Sequence, residues 1–155
     1  MPKHVLNHFE TESKSTFYGL YSSEEFYYLI LLLNEKLGIK LRRSQKDISF
    51  KNSATAFMAY YHVDKKNDFG MFIYKNSLSS KTETKEGEGL FFQESKEHLL
   101  LPELGSVDFI LKIEGDQSIF VELLEKIRTI KEVVSVFKIS EKKLKSKENL
   151  IFEYE

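Results

Sequence analysis

The stretch from Val107 to Ile139, VDFILKIEGDQSIFVELLEKIRTIKEVVSVFKI, decides the fold class. Its first part alternates. Val107, Phe109, Leu111 and Ile113 fall on one face of an extended chain, and Asp108, Ile110, Lys112 and Glu114 on the other, which is the period of a strand. Gly115-Asp116-Gln117-Ser118 reads as a turn that supplies a helix N-cap. From Ile119 to Ile130 the apolar residues Ile119, Phe120, Leu123, Leu124, Ile127 and Ile130 form one stripe, the mark of an amphipathic helix. Glu122 and Lys126 are spaced to pair on its wet face. Val133 to Ile139 returns as a strand.

The first half repeats this rhythm. Thr16 to Tyr21 (TFYGLY) is aromatic-rich and reads as a strand. Ser22 followed three residues later by Glu25 has the form of a capping box, so a helix is predicted over residues 22–37, with Gly38 as its stop. Its apolar residues surround most of the circumference, which predicts deep burial. Ile39 to Arg43 alternates as a strand, and Ser44 to Asp47 is a polar turn. Ala54–Val63 and Phe69–Tyr74 flank the turn-forming Asp64–Asp68 and predict a hairpin. Residues 76–89 (NSLSSKTETKEGEG) have almost no apolar content and are expected to form a mobile, solvated loop. Asn149 to Tyr154 (NLIFEY) reads as a last short strand. The expected fold is α+β: a mainly antiparallel sheet with two principal helices packed on one face, loosely ferredoxin/ACT-like with an extra hairpin. With 155 residues it forms one domain over 1–155.

Composition narrows the function classes. The chain has 23 basic and 24 acidic side chains and a net charge of −1, so no global field draws it to DNA or to an acidic membrane. Cysteine is absent, which removes disulfides, thiolate metal sites and cysteine nucleophiles. The first residues, MPKHVLNHFETESK, contain no signal-like apolar run, and Leu29–Leu33 is too short to span a bilayer; the expected location is the cytoplasm.

No GxSxG, P-loop, GxGxxG or HExxH pattern occurs, and no cofactor is implied. His4 and His8 have helical ligand spacing but lie in a stretch read as extended and lack an adjacent glutamate; a metal site is not favoured. His62 reads as a half-buried structural residue. Lys40, Arg42, Arg43 and Lys46 are the dense basic cluster, a candidate anion or RNA site if it is not simply a solvated sheet face. Phe69, Gly70 and Tyr74 fit the RNA-recognition strand motif, but Asn67, Asp68 and Met71 do not, and core packing explains the aromatics better.

The most specific segment is Leu101-Pro102-Glu103-Leu104-Gly105-Ser106-Val107-Asp108-Phe109. It resembles the signature of the bacterial IPExxxVDY family: Pro102, Glu103, Val107 and Asp108 match, Leu101 stands for Ile and Phe109 for Tyr. The resemblance extends to Leu37-Gly38-Ile39-Lys40-Leu41-Arg42-Arg43 and to Leu144–Phe152. It implies a small bacterial cytosolic protein and no particular activity, so it carries over positions of interest rather than catalytic residues. Pro102 fixes the chain entering the strand. Glu103 and Asp108 either line a pocket or serve a turn and a strand edge, and turn chemistry favours the second.

Three functional readings follow. The first is a non-enzymatic binding or assembly module, with a homo-oligomer or another cytosolic protein as partner. The second is an RNA-associated accessory protein using Lys40, Arg42 and Arg43. The third is an ACT-like small-molecule sensor.

Overall fold

Six of the seven residues in Phe69–Lys75 (FGMFIYK) are buried, whichever face they point to. A strand buried on both faces must lie inside a sheet that is covered on each side. That strand organises the molecule. The structure, a computed structural model, describes residues 15–49, 56–81 and 95–150.

The elements in chain order are β1 (Thr16–Tyr21), α1 (Phe26–Leu37), β2 (Arg42–Arg43), β3 (Ile48–Ser49), β4 (Ala56–Phe57), β5 (Ala59–Asp64), β6 (Phe69–Lys75), β7 (Ser77–Lys81), β8 (Ser95–Leu99), β9 (Phe109–Gly115), α2 (Gln117–Arg128) and β10 (Ser135–Ile139). The main sheet has six strands in the order β10-β1-β9-β6-β5-β2, and each ladder in it is antiparallel. β1 lies between β9 and β10, so the two strands joined by α2 are not neighbours. This interleaving is that of a ferredoxin-like β-α-β-β-α-β frame, with β5 and β2 added beyond β6. The fold is α+β, as its sequence pattern indicates.

The first core lies under the helices. Phe26, Leu29, Ile30, Leu33 and Leu37 of α1 and Phe120, Leu123 and Ile127 of α2 pack on Tyr18, Leu20, Met71, Ile73, Phe109, Leu111 and Ile113. Rings knit it together: Tyr18 lies 4.7 Å from Phe120, and Phe26 lies 4.8 Å from Tyr60 and 5.2 Å from Phe109.

The second core was not expected. Phe17, Ala59, Phe72, Tyr74 and Ile110 face away from the helices and are buried under Leu100, Leu101, Leu104, Val107, Leu144 and Leu150. Its cover is short 3₁₀ turns, Pro102–Leu104, Glu141–Lys143 and Lys147–Leu150, rather than helices. Periodicity cannot reveal such a cover, because turns have no repeating apolar face.

Several boundaries differ from expectation. Helix α1 starts at Phe26, not Ser22, and its N-cap Glu25 makes no side-chain cap. Ser22 is instead buried: its hydroxyl donates to the Glu132 carbonyl at 2.8 Å, and its oxygen accepts the Glu24 N–H at 3.3 Å rather than the N–H of Glu25. Gly38 ends the helix in the left-handed conformation, its N–H on the Asn34 carbonyl. The Ile39–Arg43 strand shrinks to Arg42–Arg43 because the Asn34 amide accepts the Leu41 N–H at 2.7 Å and holds the preceding chain to the helix. The 54–63 run is broken at Met58 into β4 and β5, and residues 54–55 lie outside the described residues. β7 pairs with β8 over Ser77–Lys81, so the first part of the expected loop is a ladder; 82–89 lie outside the described residues. Lys147–Leu150 is a 3₁₀ turn where a strand was expected from Asn149, and residues 151–154 are likewise outside.

Candidate functional site

The signature segment is held from within the second core by Asn76, which is fully buried. Its Nδ2 donates to the carbonyls of Leu104 (3.0 Å) and Val107 (3.1 Å), and its Oδ1 accepts the Leu101 N–H at 2.8 Å. Its own N–H donates to the Asp108 carbonyl, and its carbonyl accepts the Leu100 N–H. One side chain thus satisfies three backbone groups of a buried loop that has no ladder of its own.

The two signature carboxylates are committed to backbone donors. Glu103 Oε1 accepts the Ser146 N–H at 2.6 Å, tying the first 3₁₀ turn to the C-terminal cover. Burial pushes this carboxyl up, but backbone donors at Glu103, Ser146 and Lys145 and the Ser146 side chain outweigh that, and it sits below the ordinary glutamate range. Asp108 Oδ2 accepts the Ser22 N–H at 3.0 Å, tying the entry of β9 to the β1–α1 connection. Pro102 is exposed and opens the 3₁₀ turn, with Leu101 extended and buried before it. Val107 and Phe109 do not share a face: Val107 belongs to the second core and Phe109 to the first, because the ladder begins only at Phe109. These residues serve as a clasp that folds the cover onto the sheet. At its far end Tyr74 donates to the Leu150 carbonyl at 3.2 Å, and burial, with a smaller contribution from the Glu114 charge, pushes its phenol well above the ordinary range.

The basic cluster is divided. Arg42 stands opposite Tyr61 and Arg43 opposite Tyr60, so the two arginines point to opposite faces of the sheet edge. Arg43 pairs with Asp47 at 2.7 Å. Lys40 and Arg42 instead line an open groove of about 520 Å³ with Tyr61, His62, Val63, Asp64 and Lys65. The Lys40 N–H donates to His62 Nδ1 at 3.4 Å, and His62 is half-buried. The Asp64 carboxylate is taken up by its own turn: Asn67 Nδ2 donates to it at 2.6 Å, with further N–H donors from Lys66 and Asn67, and these hold it below the ordinary range. Lys40, Arg42 and Lys65 make no salt bridge among the described residues. The structure thus brings Lys40 and Arg42 together, sets Arg43 apart, and places Lys65, which the sequence did not single out, alongside through a hairpin turn.

A second open cleft, of about 700 Å³, lies between the C-terminal ends of α1 and α2, lined by Leu32, Glu35, Lys36, Lys126, Thr129 and neighbours. His4 and His8 lie outside the described residues. Among the described residues no three His, Asp or Glu side chains converge as a metal site, and no helix is long and apolar enough to cross a membrane.

No protein-family model, curated protein or solved structure matches this chain. Its own geometry therefore carries the functional argument.

Proposed function

We propose that this chain is a small, cytoplasmic, non-enzymatic binding module whose recognition site is the groove at the β2–β5 edge, and that the groove takes a phosphate-bearing ligand. One observation carries this: three cations that make no ion pair among the described residues line one groove with Tyr61 and His62, and the Asp64 carboxylate of that lining is occupied by its turn. Cations along a groove that also holds an aromatic ring suit a single nucleic-acid strand. We also propose membership of the bacterial IPExxxVDY family. That reading is supported by the work the matching positions do, since Glu103 anchors a distant segment of the cover and Asp108 anchors the β1–α1 connection.

The test is a titration of labelled single-stranded RNA at several salt concentrations. Three neutralised phosphates give a slope of log K against log salt of about −2. Arg42→Glu is expected to abolish binding at moderate salt. RNA that fails to bind at low salt would overturn the ligand assignment.

The α1–α2 cleft favours a second reading, the small-molecule sensor. It is lined by both signs of charge, Lys36, Lys126 and Lys131 with Glu35 and Glu132, and would take a zwitterion. Thermal shifts with a panel of small zwitterions test it: a saturable rise lost in Lys126→Ala supports it.

A further inference from the structure

The two edges of the main sheet are built differently. The β2 edge is two residues long, and both are arginines. Short length and charge are the usual ways of keeping another strand from adding to an edge. The β10 edge is longer and carries one charge. It runs over Ser135–Ile139, pairs with β1 on its inner side, and pairs with no strand on its outer side among the described residues. Lys138 is its single charged residue, and it contains no proline.

Beside the exposed Ser135 and Lys138, this edge turns two large apolar side chains to solvent. Val134, just before it, is 77% exposed, and Phe137 in its middle is 38% exposed. Phe137 lies over Gly19, where a Cβ would come within 2.6 Å of the ring, and it stacks on Tyr21 at 5.7 Å. That packing fixes the ring at the rim of the sheet. On the other face of the sheet, Lys126 of α2 and the following Thr129 and Ile130 line the α1 cleft. Val121 lies about 140° round the helix from Lys126, away from the cleft, and is 60% exposed.

The sequence of β10 is compatible with itself. In an antiparallel pair centred on Phe137, Ser135 stands opposite Ile139 of the second copy and Val136 opposite Lys138. Phe137 meets Phe137. No lysine faces a lysine, and the aliphatic stem of Lys138 lies across Val136. Exposed main-chain donors and acceptors supply the ladder, as in strand addition generally. A net charge of −1 on each copy gives little repulsion.

We propose that the chain forms a two-fold homodimer by antiparallel pairing of β10 with β10 of a second copy, joining two six-stranded sheets into one. The β2–β5 groove lies at the opposite edge, so each dimer presents two grooves at its ends. This inference does not rest on the ligand assigned to them.

Sedimentation equilibrium of the full chain tests it. Wild type is expected at twice the 18.2 kDa monomer mass. Val134→Lys combined with Val121→Lys changes only exposed side chains and is expected to weaken the dimer at least tenfold with an unchanged circular-dichroism spectrum. Because the chain has no cysteine, single introduced cysteines report the register. Phe137→Cys is expected to cross-link to itself on oxidation, and Lys138→Cys is not. A wild-type chain that stays monomeric at all accessible concentrations overturns the proposal. So does a dimer that persists in the double-lysine variant, or one that dissociates in Arg42→Glu.

Discussion

Replacing Asn76 by alanine removes three hydrogen bonds in a fully buried place. The Leu101 N–H and the Leu104 and Val107 carbonyls then lose their side-chain partner. A buried polar group left unpaired costs about 1–3 kcal/mol. Water entering the small cavity recovers part of this, so the expected loss is roughly 3–5 kcal/mol. That is a large share of the ~5–15 kcal/mol that holds a domain together. The assay is urea unfolding followed by far-ultraviolet circular dichroism, since the chain has no tryptophan. Amide exchange adds a local readout: the Leu101 N–H should lose protection more than amides in β1. Asn76→Asp is a sharper control. It keeps an acceptor for Leu101 but turns a carboxylate toward two carbonyls, and should be at least as damaging. If Asn76→Ala unfolds within about 1 kcal/mol of wild type, the clasp does not hold the second core and the reasoning fails.

Other outcomes follow from the same geometry. Glu103 titrates below its ordinary 4.5 in the folded chain, so its contribution is complete above that value and is lost as pH falls through the lowered one. Glu103→Gln should therefore be less stable than wild type at neutral pH, with the gap closing below pH 4.5 in denaturant melts at stepped pH. Gly115 has φ +82 and lies so close to the Asp68 carbonyl that a Cβ would stand 2.0 Å from it, so Gly115→Ala should cost about 3 kcal/mol in the same melts. Asp108→Ala should cost about 1–3 kcal/mol by freeing the Ser22 N–H, and Ser22→Ala, which frees the Glu132 carbonyl, should add less than its own cost on top, because the two bonds fasten one connection.

What the sequence could show was set by periodicity. The stripe of α2 and the alternation of β9 carry regular apolar repeats, and both elements form, although β9 begins at Phe109 rather than Val107 and α2 ends at Arg128 rather than Ile130. The second core escaped because its cover is made of turns, whose burial follows from tertiary contacts and not from a repeat. Asn76 escaped for a related reason: it opens a run of polar residues, and averaging over that run hid one side chain whose polarity is used inside the protein. Its position directly after a strand buried at six consecutive positions was the available signal. Ser22 and Glu25 have capping-box spacing, yet the serine oxygen bonds a carbonyl 110 residues away, which local pattern cannot anticipate. At the candidate site, Lys40 and Arg42 were legible from alternation. Lys65 reaches the groove only because β5 and its turn fold back beside β2.

The proposed division of work gives Glu103 and Asp108 the fold and the groove cations a ligand. One titration tests that separation most directly. Labelled single-stranded RNA is added to wild type, Asp108→Ala and Arg42→Glu at a temperature where all three are folded. The account expects Asp108→Ala to bind as wild type does and Arg42→Glu to bind at least about tenfold more weakly, a difference of about 1.4 kcal/mol. RNA binding lost in Asp108→Ala but kept in Arg42→Glu would contradict it and move the functional site to the signature segment.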